Sequence, residues 1–140
     1  ASATEAVRAV GRAHFPPWDD AMWARQARRI FTEKEGRIVR SYDPRLLRTL
    51  QAINLDNPLP TMWPQFDALC NLPVMVVRGA NSDLLSVETV EKMRDRHPSL
   101  ETVTVPDQGH APDLGTDALP ERIAAFLSAA DRTHRTAPPR

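Results

Sequence analysis

Apolar residues recur at intervals of three and four positions through much of the first half of the chain, which is the spacing of one helix face. The pattern predicts three helices, over residues 1–13, from Asp19 or Asp20 to Phe31, and from Asp43-Pro44 onward. Thr4 is the expected N-cap of the first helix. Asp43 is the expected N-cap of the third, with Pro44 at its first helical position.

Between and after these helices the pattern predicts shorter elements. Glu35-Gly36 is expected to form a turn, followed by a brief extended piece over residues 37–40. Residues 54–60 form a predicted linker, and residues 61–69 a short helical anchor. The chain's three tryptophans are interpreted as packing residues: Trp18, Trp23 and Trp63.

The second half of the chain changes character after Pro73. Residues 74–77 are a continuous apolar run, which is typical of a strand covered on both faces. Ser86 is the expected cap of a helix over residues 87–96, and an alternating strand follows over residues 100–105. After a loop, a last helix is expected over residues 119–130. Two strands joined through a helix in this way are parallel.

The apolar strand over residues 74–77 has too few predicted partners. Two strands cannot bury such a run on both faces and both edges, so we expect a sheet of at least three or four strands. The residues that precede it supply mostly helices. An unpaired strand edge is a template for pairing with another chain, and the sequence therefore predicts possible self-association through this edge.

Composition narrows the class of protein. The chain has 140 residues, of which 41% are hydrophobic and 26% charged, as in one soluble globular domain. Its 18 basic residues balance 18 acidic ones, which argues against a nucleic-acid partner, and no apolar run suits a membrane helix. The single cysteine, Cys70, is expected to be a small buried residue. It cannot form an internal disulfide, which favours a cytoplasmic location.

Two polar residues follow the predicted strands at the edge where ligands bind. In open α/β sheets this edge is the one at the carboxyl ends of the strands. Asp83 follows the first strand and His110 follows the second, 27 residues later. If the strands are neighbours, the Asp83 carboxylate can accept the Nδ1–H of His110, leaving Nε2 free to take a proton. His97, before Pro98, is interpreted as a helix end without a partner.

Here a family resemblance becomes specific. Residues 73–83, PVMVVRGANSD, and residues 105–110, VPDQGH, resemble the last two strands of an α/β-hydrolase. In that family the acid follows the penultimate strand and the histidine follows the last strand in a Gly-His step. The resemblance implies that Asp83 is the triad acid and His110 the general base. The family's chain order is nucleophile, acid, histidine.

The chain departs from the family pattern at the nucleophile. It contains no G-x-S-x-G segment and no HGGG-like oxyanion loop. The resemblance implies that the nucleophile-bearing N-terminal half is absent from the chain. The predicted fold is α/β: the C-terminal strands and helices of a doubly wound, mainly parallel α/β-hydrolase sheet, preceded by helical cap elements. Residues 1–58 are assigned to the cap and its return to the core, residues 59–132 to the core, and residues 133–140 to a disordered tail.

The resemblance implies a function for the complete protein. It would hydrolyse an ester or related bond of a small-molecule substrate with a Ser-His-Asp type triad, and would need no cofactor. No spacing of His, Cys, Asp or Glu suggests a metal site. This chain alone is expected to be inactive. One alternative is a truncated, non-catalytic module with a binding or structural role. Another keeps the family but changes the reaction, since the same scaffold hosts dehalogenases with an aspartate nucleophile and C–C bond hydrolases.

Overall fold

The computed structural model describes residues 2–43, 45, 46, 48 and 60–136, with side chains as far as Arg132. Contacts along the chain divide it into two compact units, Ala1–Met62 and Trp63–Arg140. The helix predicted from Asp43-Pro44 and the linker over residues 54–60 lie largely outside the described residues. The assignment of residues 1–58 to a cap stays a prediction.

The first unit begins with helix α1, Ala3–Gly11. Its N-cap is Ser2, so the prediction of Thr4 as N-cap was wrong. The Ser2 hydroxyl accepts from the Glu5 N–H at 3.2 Å, and the Ser2 N–H donates to the Glu5 carboxylate at 2.7 Å. This reciprocal capping box satisfies two backbone donors that have no partner within the helix, which is why the helix begins at Ala3.

Helix α2, Asp20–Ile30, is capped by Asp19, whose carboxylate accepts from the Met22 N–H at 2.8 Å. Its buried positions are Trp23 and Ala27, each 3% exposed. The Trp23 ring packs edge-on against Trp18, 4.8 Å between ring centroids, and donates its indole N–H to the Trp18 carbonyl at 3.0 Å. These tryptophans are therefore packing residues, as predicted.

A β-hairpin follows α2 directly. Strand β1, Phe31–Lys34, pairs antiparallel with strand β2, Arg37–Arg40. The two turn residues, Glu35 and Gly36, both have positive φ, 52° and 71°. A two-residue loop of this kind matches the twist of paired strands. The predicted turn and second strand are confirmed. The first strand was missed, because the helical pattern was extended to Phe31, one residue beyond the helix.

The second unit contains a strand–helix–strand–loop–helix order, as predicted. It comprises α3 (Trp63–Asp67), β3 (Met75–Gly79), α4 (Val87–Arg96), β4 (Glu101–Val105) and α5 (Leu119–Thr136). Strands β3 and β4 are parallel, with Met75 opposite Glu101 and Gly79 opposite Val105. Within the described residues no further strand joins them, so the larger sheet expected from the apolar run is not formed there.

Several predictions about individual side chains and ends in this unit were wrong. Cys70 is exposed, not buried. The apolar side chains of Val87 and Leu127 are 51% and 55% exposed. Helix α5 continues to Thr136, four residues into the predicted disordered tail, and residues 137–140 lie outside the described part of the chain. A surplus of apolar surface is what a small two-stranded unit leaves uncovered.

Candidate active site

The site is built at the carboxyl end of the β3–β4 pair, where two loops leave the sheet. The acid loop is residues 80–85, and the histidine loop is residues 106–118. The Ala80 N–H donates to the Val105 carbonyl at 2.8 Å, and the Asn81 N–H donates to the Gln108 carbonyl at 2.8 Å. The hydrogen bonding of β3 to β4 therefore continues past the strands and joins the two loops.

Gly79, the last residue of β3, allows the close approach of the loops. A Cβ atom at this position would lie 2.2 Å from the carbonyl oxygen of Gly109 and 2.3 Å from that of Gln108. Both atoms are backbone, and contacts this short are not found for real Cβ atoms. The backbone of the histidine loop thus lies directly against the Cα of Gly79, and only glycine fits between them.

The acid loop is held from within. The Ser82 hydroxyl accepts from the Leu85 N–H at 3.0 Å, which closes a tight turn around Asp83. Arg78, which is 8% exposed, donates from Nε to the Leu85 carbonyl at 2.6 Å. A buried charge costs free energy unless it is hydrogen-bonded, so this contact anchors the far end of the loop to the strand. Asp83 itself is exposed.

Ser86, between the acid loop and α4, is the N-cap of α4. Its hydroxyl accepts from the Thr89 N–H at 3.1 Å, which confirms the predicted cap. The carboxylate of Glu88 in the first turn is hydrogen-bonded to its own backbone N–H and to the Ser86 hydroxyl, and these bonds lower the pKa of Glu88. The loop thus passes into a helix whose start is well defined, and Asp83 lies three residues before the N-cap Ser86.

The histidine loop leaves β4 at the buried Val105 and carries His110 on its exposed side. Asp107 has a positive φ of 53°, so the chain turns sharply just before the Gly-His step. Gln108 follows and is only 4% exposed. The loop ends in successive turns, in which the Thr116 N–H donates to the Asp113 carbonyl and the Leu119 N–H to the Thr116 carbonyl.

The structure brings the two loops together, but it does not join the two predicted site residues directly. Asp83 and His110 lie on adjacent loops at one edge of the sheet, and both are exposed to solvent. Within the described part of the chain, no hydrogen bond or ion pair links the Asp83 carboxylate to the His110 ring. Their roles as acid and base therefore stay predictions.

Sequence reasoning missed the two buried polar residues of this edge, Arg78 and Gln108. Their positions, at the end of the first predicted strand and in the loop after the second, were not singled out as sites. The available signal was a polar residue that directly precedes a glycine at the end of a strand or in the following loop. Arg78 donates to a loop carbonyl, and Gln108 accepts from a loop N–H and donates to the Thr116 hydroxyl. Such partners cannot be identified from side-chain patterns.

Among the described residues, no group of three or more His, Cys, Asp or Glu side chains is placed to bind a metal ion. In the same residues, none of the helices combines the length and the apolar character needed to cross a membrane.

The chain is similar to solved hydrolase structures over most of its length. It matches an α/β hydrolase from Novosphingobium aromaticivorans with a TM-score of 0.78 and 38% identity, covering 90% of this chain and 44% of that one. It also matches E-2-(acetamidomethylene)succinate hydrolase, with a TM-score of 0.62 and 20% identity, over 89% of this chain and 45% of the other. At 20% identity the second match is evidence of fold alone.

Two more proteins resemble parts of the chain. The thioesterase domain from the curacin biosynthetic pathway matches at a TM-score of 0.56 and 20% identity, over 90% of this chain and 42% of that one. The 3-hydroxybutyrate-oligomer hydrolase of Cupriavidus necator is 53% identical over 51 residues, which are 36% of this chain and 17% of that protein. No family model matches. The chain spans less than half the length of each of these proteins.

Proposed function

The chain belongs to the α/β-hydrolase family, and on that premise we propose that it supplies the acid and the general base of a hydrolase acting on an ester or related bond. The observation that carries the proposal is the contact between the acid loop and the histidine loop. The Asn81–Gln108 hydrogen bond and the absence of a side chain at Gly79 bring the backbones that carry Asp83 and His110 against each other. Both side chains are exposed at the edge where open α/β sheets bind ligands.

The proposed chemistry uses His110 as a proton carrier. A serine supplied outside this stretch of chain attacks the substrate's carbonyl carbon while its hydroxyl proton passes to Nε2 of His110. The Asp83 carboxylate accepts the Nδ1–H and stabilises the imidazolium. The tetrahedral intermediate then expels the alcohol, which takes the proton from Nε2. Water repeats the sequence on the acyl-enzyme, releasing the carboxylic acid and restoring the serine.

An ester is the bond we propose. The hydrolase of Cupriavidus necator that shares 53% identity over 51 residues acts, by its name, on 3-hydroxybutyrate oligomers, whose units are joined through ester bonds. Solvent exposure of Asp83 and His110 also suits a substrate that approaches from the open side of the sheet edge.

One observation favours a second candidate, a non-catalytic binding or structural module. Within the described residues, Asp83 and His110 are not hydrogen-bonded to each other, whereas an assembled triad needs that bond to orient the histidine. The two candidates differ in reactivity: the module would not react with a fluorophosphonate, which labels activated serines.

The deciding experiment measures hydrolysis of p-nitrophenyl butyrate by the whole protein. We expect His110→Ala to lower kcat by about 10⁴-fold or more and Asp83→Asn by a comparable factor, because general-base catalysis is lost or the wrong tautomer is held. The matched control is Glu91→Gln, which removes an exposed carboxylate from α4 and leaves turnover unchanged. Parent-like ester turnover in His110→Ala would overturn the proposal.

A further inference from the structure

Gln108 is a buried polar side chain for which the proposed reaction has no use. It is 4% exposed and lies two residues before His110, which is exposed. A buried amide destabilises the fold unless its donors and acceptors find partners. A glutamine at this depth beside a candidate catalytic histidine therefore needs a physical explanation, and its hydrogen bonds provide one.

The side chain of Gln108 closes the part of the histidine loop that contains His110. Its Oε1 accepts from the backbone N–H of Asp113 at 2.6 Å. Its Nε2 donates to the Thr116 hydroxyl at 2.8 Å. The orientation of the amide follows from its partners, because a backbone N–H can only donate. Residues 109–112 consequently lie inside a ring closed by one side chain, much as a backbone hydrogen bond closes a turn.

The backbone of Gln108 is fixed on the other side, to the acid loop. Its carbonyl oxygen accepts from the Asn81 N–H at 2.8 Å. The same oxygen lies so close to Gly79 that a Cβ added there would be only 2.3 Å from it. One residue thus links three segments: the acid loop through its main chain, and the two later turns of the histidine loop through its amide.

We propose that Gln108 is a positioning residue that holds the His110 imidazole in register with the acid loop. The inference rests on the proposed function, because the consequence of positioning is catalysis by His110. Displacing a catalytic group by about 1 Å can cost on the order of 10²-fold in rate. Gln108 touches neither substrate nor reacting atoms; it acts through the loop it closes.

The test uses variants that remove the amide's bonds while keeping volume. Gln108→Met removes both side-chain hydrogen bonds, and Thr116→Val removes only the one to Nε2. Thr116→Ser is the matched control, since it keeps the hydroxyl. In the whole protein we expect kcat for p-nitrophenyl butyrate to fall about 10- to 100-fold in Gln108→Met and less in Thr116→Val, with KM within about twofold. Thr116→Ser should keep the turnover of the parent protein.

A spectroscopic measurement on the full chain addresses the position of the ring directly. The NMR resonance of the His110 Hε1 proton should shift in Gln108→Met and Thr116→Val and should keep its parent position in Thr116→Ser. Hydrogen exchange at the Asp113 amide should accelerate in Gln108→Met, because that amide loses its acceptor. If Gln108→Met fails to fold, Thr116→Val tests the same contact with one bond removed.

Two results would overturn the inference. One is an unchanged His110 resonance in both disruptive variants. The other, in a protein whose turnover His110→Ala abolishes, is a kcat that stays at the parent value while only the melting temperature falls. Failure of the proposed function gives a different result. Turnover would then be insensitive to His110→Ala, while the His110 resonance would still respond to Gln108→Met and Thr116→Val and would support the positioning role by itself.

Discussion

Each end of the β3–β4 pair carries a histidine, and the two side chains have opposite surroundings. His97 lies at the amino end, where α4 turns toward β4, and is 2% exposed. His110 lies at the carboxyl end, and its side chain is exposed. The same chemical group is thus fully enclosed at one end of the unit and open to solvent at the other.

The ring of His97 has hydrogen-bond partners at both nitrogens. Its Nε2 lies 3.2 Å from the Leu69 carbonyl oxygen and 3.1 Å from that of Leu72, so Nε2 carries the proton and donates to both. Its Nδ1 lies 3.4 Å from the Ser99 hydroxyl, which donates. The ring also packs against Phe66, with centroids 6.2 Å apart. His97 therefore fastens the turn before β3 to the end of α4.

His97 is therefore a structural histidine, whereas the ring of His110 is accessible for proton transfer. A histidine whose nitrogens both have partners cannot take part in proton transfer without breaking the contacts that hold it. Within the described residues, the His110 ring has no hydrogen bond or ion pair, and its loop is instead held by the neighbouring Gln108. The carboxyl end is held by residues beside the candidate base, so the ring nitrogens of His110 stay accessible to a substrate or a nucleophile.

The largest expected effect is on stability, at the amino end. His97→Ala removes the ring that donates to the carbonyls of Leu69 and Leu72, of which only Leu69 keeps a second donor, the Leu72 N–H, and it opens a cavity. We therefore expect unfolding of the full chain to be easier by about 3 kcal/mol. Urea unfolding followed by circular dichroism measures the difference. His110→Ala is the matched control at the carboxyl end and should change stability by less than about 0.5 kcal/mol. Equal losses in the two variants would contradict the comparison.

A smaller and more local effect is expected at Gly79. In Gly79→Ala the new Cβ meets the backbone carbonyls of Gln108 and Gly109, so the histidine loop must move away from the acid loop. We expect a loss of about 2 kcal/mol in stability and at least about a tenfold fall in ester turnover by the whole protein. Gly115→Ala is the control, because its Cβ would make only an ordinary contact, 3.5 Å from an Asp113 oxygen. Parent turnover in Gly79→Ala would show that the loops do not need this contact.

The amino-end contact also shows what sequence patterns can predict. Helix α4 has the predicted bounds, residues 87–96, because both of its ends are encoded locally by a capping serine and by the His97-Pro98 step. The partners of His97 are backbone carbonyls more than 20 residues earlier in the chain. Since any residue supplies a carbonyl, no pattern of side chains marks them, and His97 was interpreted as having no partner.

The candidate site divides in the same way. Asp83 and His110 could be proposed because each follows a strand, and parallel strands bring their carboxyl ends to one edge. The closeness of the two loops and the role of Gln108 could not be predicted, because both depend on the close approach of the histidine-loop backbone to Gly79. Strand β1 was missed for a related reason: its residues FTEK carry no alternating apolar pattern, and pairing with β2 defines it.

The smallest expected effect is at Ser86, where the acid loop passes into α4. Ser86→Ala removes the acceptor of the Thr89 N–H, so we expect a stability loss of about 1 kcal/mol, well below that of His97→Ala.

The same variant should change the titration of Glu88. Hydrogen bonds from the backbone N–H of Glu88 and from the Ser86 hydroxyl lower the pKa of the Glu88 carboxyl, and Ser86→Ala should raise that pKa toward its ordinary value. A carboxylate with a lowered pKa stabilises the fold above its unfolded pKa, and this contribution is lost as pH falls through the folded pKa. The variant should therefore lose less stability than the parent on acidification through that range, as NMR titration of Glu88 and urea unfolding at several pH values would measure. Ser86→Thr, which keeps the hydroxyl, should match the parent. An unchanged Glu88 titration in Ser86→Ala would mean that the Ser86 hydroxyl does not act on this carboxylate.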